Sequence, residues 1–135
     1  MEVTPELVRQ AYAALATGDT SKILQYWAED MVWLVPGHNI LSGRKNNLNE
    51  FIDFMATVGK LSDNSFQMVH SAIVVSGEYS ADVSYNTGNR ARNEEKTLGI
   101  DVIHFLRWRD GKVIEGKGGI FADGTAEYDK FWSPV

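Results

Sequence analysis

Between Phe66 and Phe121 the chain carries almost nothing but β-strand, and this run limits the fold more than any other feature. Turn signals at Ser76-Gly77, Asn93-Glu94 and Asp110-Gly111 cut it into strands at about Ser65–Val75, Glu78–Arg90, Lys96–Arg109 and Lys112–Phe121. Such a series closes as successive antiparallel hairpins. The part ahead of it is mostly helical. Thr4-Pro5 reads as an N-cap with proline in the first turn, followed by an apolar stripe at Leu7, Val8, Ala11, Tyr12 and Leu15 that Gly18 ends. Asp19 to Ser21 can restart a helix carrying Ile23, Leu24 and Trp27. Met31–Val35 is a short apolar strand closed by Pro36-Gly37, and Pro36–Arg44 reads as a loop. Asn47 with Glu50 three residues on marks a third helix, with Leu48, Phe51, Ile52, Met55 and Val58 on its apolar side. Gly124–Trp132 leaves room for one or two helical turns. Helices first and antiparallel strands after predict an α+β fold.

At 135 residues the chain makes one domain, residues 1–135, large enough to hold a core without cross-links. It contains no cysteine, which removes disulfides, thiolate zinc sites and thiol catalysis. A net charge of −5 argues against nucleic acid as a partner. Apolar runs such as Met31–Pro36 are far shorter than the ~18 residues of a membrane span. The N-terminal MEVTPELVRQ lacks the apolar centre of a signal peptide, so a cytoplasmic location without membrane contact is expected.

The third long strand has two apolar faces. Ile100, Val102, His104, Leu106 and Trp108 alternate with Asp101, Ile103, Phe105 and Arg107. The helices can cover one face. A second copy of the chain covering the other, as a homodimer with Ile100, Val102, His104, Leu106 and Trp108 in the seam, is the expectation, and the C-terminal tail folding over that face is the alternative.

The order of these pieces resembles the SnoaL-like members of the NTF2-like superfamily, which share a cone with ketosteroid isomerase. The likeness is carried by Ala13-Ala14-Leu15 and Gly18-Asp19, by Trp33-Leu34-Val35-Pro36-Gly37 and by Ser42-Gly43-Arg44. His104-Phe105, Arg109-Asp110-Gly111-Lys112-Val113-Ile114 and Asp129-Lys130-Phe131-Trp132 complete it. It implies a cystatin-type cone in which three N-terminal helices pack on a curved, mostly antiparallel sheet. It also implies a pocket inside and a homodimer through the outer sheet face. Ketosteroid isomerase works with an Asp base and an oxyanion hole of a Tyr and a protonated Asp. Aligned by the motifs above, these fall on Val35, Ile103 and Ala11, with Tyr12 beside the last but rotated ~100° around the helix. None of the three can perform that chemistry. Leu34 stands where many SnoaL-like chains carry a histidine.

Two titratable residues remain as candidates for proton transfer. His38, in the loop after Pro36-Gly37, titrates near neutrality and is either a general base at the cone mouth or an exposed loop histidine. Asp101 shares a face with Ile103 and is either a carboxylate with a raised pKa in the cone or a solvated one at its edge. Trp33 and Val35 share a strand face and, with Tyr12, Ile103 and Phe105, are expected to wall an apolar pocket. Gly116 and Gly118 leave space in it, and the resemblance puts Asp123 near its mouth. His104 is expected to face outward, and His70 to lie on a strand surface or interface. The three histidines are far apart in sequence and no HExxH spacing occurs, so no metal site and no cofactor are expected. Two function classes stay open. One is a cofactor-independent isomerase, cyclase or lyase acting on a polyketide-like or other carbonyl compound. The other is a non-catalytic module that binds a small hydrophobic molecule or a protein.

Overall fold

The computed structural model describes residues 2–135. The elements run α1 (Pro5–Thr17), α2 (Thr20–Ile23), β1 (Trp27–Val35), β2 (Gly43–Lys45), α3 (Leu48–Ser62), β3 (Gln67–Ser76), β4 (Tyr79–Arg90), β5 (Asn93–Arg109), β6 (Lys112–Ile120) and α4 (Gly124–Phe131). Among the described residues the strands form one sheet in the order β2-β1-β6-β5-β4-β3. Only the β1–β6 pair is parallel. The predicted α+β architecture, with helices before a curved and mostly antiparallel sheet, is the one observed. No helix of the described residues is long and apolar enough to cross a membrane.

Local chemistry sets the helix ends. The Leu7 N–H donates to the Thr4 hydroxyl at 3.1 Å, and Gly18 closes α1 at φ 68°, the left-handed region where a Cβ is costly. The Glu50 N–H donates to Asn47 Oδ1, while Glu50 Oε1 accepts from the Asn46 N–H, so the capping box is offset by one residue. Other boundaries move. α2 is a single turn, and Trp27 opens β1 instead of extending the helix. Gly43–Lys45, read as loop and helix approach, pairs with β1. The β4–β5 turn falls at Ala91-Arg92 and not at Asn93-Glu94.

The faces of β5 are the reverse of those expected. Ile100, Val102, His104, Leu106 and Trp108 are buried on the concave side, whereas Asp101 and Phe105 are exposed on the convex one. Phe105, 41% exposed, stacks on Tyr79 of β4 at 5.3 Å. The residues assigned to a dimer seam are therefore core. The tail also takes the inner side. Tyr128, Phe131 and Trp132 are buried, and a Cβ at Gly124 would touch Ile100 and Ile120. Arg90 Nη1 donates to the carbonyls of Phe131 and Ser133 at 2.8 and 2.6 Å, which fastens the tail to the end of β4.

An aromatic cluster of Trp27, Trp33 and Phe51 joins β1 to α3, with Trp33 stacked on Phe51 at 4.7 Å. Gly116 of β6 pairs with Trp33, and a Cβ there would lie 2.5 Å from the indole ring and 2.9 Å from Leu106. Trp33 fills the space that Gly116 was expected to leave for a ligand. Gly116→Ala should therefore overpack the core and destabilise the fold by about 1–3 kcal/mol in urea unfolding. Unchanged stability would mean that the indole has room to move aside.

Candidate active site

The sheet curls around a cavity of about 720 Å³ that opens between α1, α3 and β3. Its wall is mainly apolar, with Trp33, Phe51 and Phe54 on one side and Phe66, Tyr128 and Trp132 on another. Tyr12, His70, Asn86 and His104 bring polar atoms to it. Behind them on β4, Ser80, Asp82, Ser84 and Asn86 all face inward at period two, and all are buried.

Asp82 is the centre of this stripe, with no exposed surface. His104 lies directly across from it on β5. His70 reaches it from β3 because of a bulge. His70 pairs with Ser84 and Ala72 with Val83, so Ser71 is an extra residue and the strand changes phase there. Met68 and His70 before the bulge and Ile73 and Val75 after it can then all turn inward. Tyr12, from the middle of α1, completes the group.

Asp82 Oδ1 accepts the Tyr12 hydroxyl at 2.7 Å, and Oδ2 lies 3.2 Å from His104 Nδ1. His70 Nε2 is 3.1 Å from the same oxygen but off the line of a good hydrogen bond, so that contact is mainly electrostatic. Burial by itself would raise the Asp82 pKa. The bond from His104, the close His70 imidazole, the charge of His104 and the Tyr12 hydroxyl together outweigh burial and hold it below its usual value. Tyr12 moves the other way. Burial, the Asp82 charge and its own bond to Asp82 push its pKa well above 10, so it stays protonated as a donor.

An ionised Asp82 accepts from His104 and so fixes the proton of the imidazole on Nδ1. The ring's Nε2 is then a lone pair, and the ring lines the cavity. A carboxylate that orients a histidine in a largely apolar chamber is an arrangement for moving a proton to and from a bound carbon or oxygen acid. His70, Asp82 and His104 also bring three ligating atoms within 4.8 Å of one another, a set that can hold a divalent ion. Separation in sequence concealed it, since the fold brings together two of the three histidines.

The sequence candidates divide accordingly. Tyr12, Trp33, Val35 and Gly118 line the cavity. Asp101, Ile103 and Phe105 belong to the other face of β5, and Gly116 lies behind Trp33. His38 is exposed in the loop after β1, tied by its backbone N–H to Asp129 Oδ1 at 2.8 Å. Asp123 is exposed at the start of α4 and makes no capping bond there. Of the aligned positions Val35 lines the cavity but Ile103 and Ala11 do not; their neighbours His104 and Tyr12 do.

The chain belongs to the SnoaL-like family, whose domain model matches residues 8–116. Among solved structures, Bal32a, from a soil-derived mobile gene cassette, matches with a TM-score of 0.83 at 22% identity over 94% of each chain. A protein of unknown function with a cystatin-like fold from Xanthomonas campestris gives 0.81 at 20% identity, covering 96% of this chain and 97% of that one. TerC, co-crystallized with polyporic acid, gives 0.76 at 21% identity, covering 95% of this chain and 97% of its own. These likenesses show the NTF2-like, cystatin-like fold. No curated protein sequence matches the chain.

Removing the Asp82 carboxylate strands three polar partners in the core. Asp82→Ala should cost about 3–5 kcal/mol of stability, as the loss of one member of a buried charged pair does. The pH dependence follows from the depressed pKa. Asp82 is charged in the folded state at a pH where the unfolded chain begins to protonate it, so its share of stability is full above about pH 4 and is lost as pH falls through the lower folded value. Thermal melts of wild type should fall steeply on the acid side, and those of Asp82→Ala should fall less.

Proposed function

We propose that this chain is a cofactor-independent proton-transfer enzyme, of the isomerase, cyclase or lyase kind, acting on a small and largely apolar carbonyl compound. The observation that carries this reading is the fully buried Asp82 with His104, His70 and Tyr12 around it at the wall of an apolar cavity. His104 Nε2 is the base, Asp82 holds its tautomer and supports the imidazolium that forms, and Tyr12 fixes the carboxylate. Trp33, Val35 and Gly118 shape the chamber beside the base. The roles first given to His38 and Asp101 pass to His104 and Asp82. The polyporic acid in TerC supports a small molecule as the occupant.

Hydrogen exchange tests the chemistry without knowledge of the natural substrate. In D2O the protein should speed exchange of the α-hydrogens of 2-tetralone, followed by NMR. His104→Gln should lose about 10²–10⁴-fold, the usual share of a general base. His38→Ala and Asp101→Ala should keep the wild-type rate, and so should wild type with a chelator. Loss on chelation would move the chemistry to an ion held by His70, Asp82 and His104. Tight binding of 2-tetralone without any exchange would make the protein a non-catalytic carrier instead.

The assembly reading keeps the homodimer and changes its surface. Phe105, Tyr79, Tyr85 and Val74 leave an apolar patch on the convex sheet face, bordered by Lys117 and Arg107. A second copy packed there would bury it. Light scattering of wild type at tens of micromolar should give a dimer, and Phe105→Glu a folded monomer. A monomeric wild type rules the dimer out.

A further inference from the structure

Two imidazole nitrogens converge on one carboxylate oxygen, which is more than the orientation of a single base requires. His104 Nδ1 lies 3.2 Å from Asp82 Oδ2, and His70 Nε2 lies 3.1 Å from the same atom. His104 makes a hydrogen bond there. His70 Nε2 is buried and has no hydrogen-bond partner among the described residues, because it is close to the oxygen without being aligned to it. A buried ring nitrogen left in that state is costly unless something else meets it.

Coordination geometry accounts for the spacing. Two ligand atoms held ~2.1 Å from one ion, and about 95–100° apart as seen from it, stand about 3.1–3.2 Å from each other. Both N···O distances have that length. The third edge, between the two nitrogens, is no longer than 4.8 Å, and a small swing of His70 shortens it to the ~3.3 Å of a tetrahedral site. His70 is placed to make that swing. It stands on β3, the outermost strand of the sheet, beside the bulge at Ser71, and its side chain is 23% exposed and lines the cavity. Asp82 has no exposed surface of its own, so movement of the His70 ring is also what admits an ion from the cavity to Oδ2. Tyr12 stays on Oδ1 and leaves Oδ2 to the ion. Two imidazoles and one carboxylate suit zinc and its neighbours in the first transition row, whereas magnesium and calcium take all-oxygen sites.

We propose that His70 Nε2, Asp82 Oδ2 and His104 Nδ1 form a binding site for a divalent transition ion of the zinc class, and that filling it switches proton transfer off. The site follows from the geometry, and the switch rests on the reading of His104 as the base. With an ion on Nδ1, the hydrogen of the neutral imidazole passes by way of water to Nε2. The ring gains and loses no proton in total, but the lone pair that served as the base is now an N–H. Asp82 is drawn to the ion at the same time and no longer holds the tautomer that the base requires. The ion and the bound molecule thus compete for one histidine through its two nitrogens.

Cobalt(II) reports the site through its visible absorption, independently of activity. Metal-free wild type should take up about one cobalt ion per chain with a visible band, which zinc removes and a large excess of magnesium does not. His70→Gln and His104→Gln, each checked for folding by circular dichroism, should lose the band, and His38→Ala should keep it. In the 2-tetralone exchange assay, zinc at about ten times its dissociation constant should slow wild type about tenfold, and a chelator should restore the rate. The ratio of rates with and without zinc should be about one in His70→Gln. The absence of a cobalt band, or a band that His70→Gln retains, overturns the site. A band accompanied by unchanged or faster exchange in zinc overturns the switch. Failure of the proton-transfer reading has another signature: metal-free wild type exchanges nothing, while the cobalt band still decides the site.

Discussion

A carboxylate in the middle of a sheet must be surrounded by donors or it neutralises, and the position of Asp82 makes that demand on three separate elements. β5 must be in register to set His104 opposite it. β3 must bulge at Ser71 to bring His70 within range. α1 must lie across the sheet with Tyr12 turned down. An error of one residue in any of them would strip the buried charge of one of its three partners. The cluster therefore fixes register as well as chemistry, which plain apolar packing would do less strictly.

The cavity survives because other groups hold its walls apart. Trp27, Trp33 and Phe51 form a rigid aromatic block between β1 and α3, and Gly116 lets the Trp33 ring sit against the sheet. At the far end the tail is fastened by Arg90 and by Lys96, whose Nζ donates to the Ser133 carbonyl at 2.9 Å. Trp132 closes the floor from that anchored tail. The enclosed space is then mainly apolar, with polar groups from Tyr12, His70, Asn86 and His104 around its wall, so a bound molecule would be oriented by those groups and accommodated by the rest.

Much of the frame was legible in the chain. Thr4-Pro5, Gly18 and Asn47 marked helix ends through backbone chemistry that acts within a few residues, and the four long strands followed from turn residues and alternation. The site was not legible in the same way. Asp82 reads as one of several polar residues on a strand whose other face is also mixed. His70 reads as surface if β3 is taken as regular, since a bulge leaves no distinct mark in Met68–Ala72. The available signal was the run Ser80, Asp82, Ser84, Asn86 at period two, a polar line that would face the core wherever the opposite residues face solvent.

Alternation determined which residues of β5 travel together, and the arrangement of apolar positions determined that both of its faces would be covered or carry a cost. Neither could say which face turns inward, because His104 and Phe105 both stand among apolar neighbours and both faces carry large apolar side chains. The tertiary structure decided it. Only the inward phase containing His104 meets Asp82, and only the same phase gives Trp108 an acceptor, with its Nε1–H donating to Ser80 at 2.9 Å. Sequence carries the local terms, which depend on neighbours a few residues away. The choice of face depends on hydrogen bonds between residues more than twenty apart, and those exist only once the hairpins have closed.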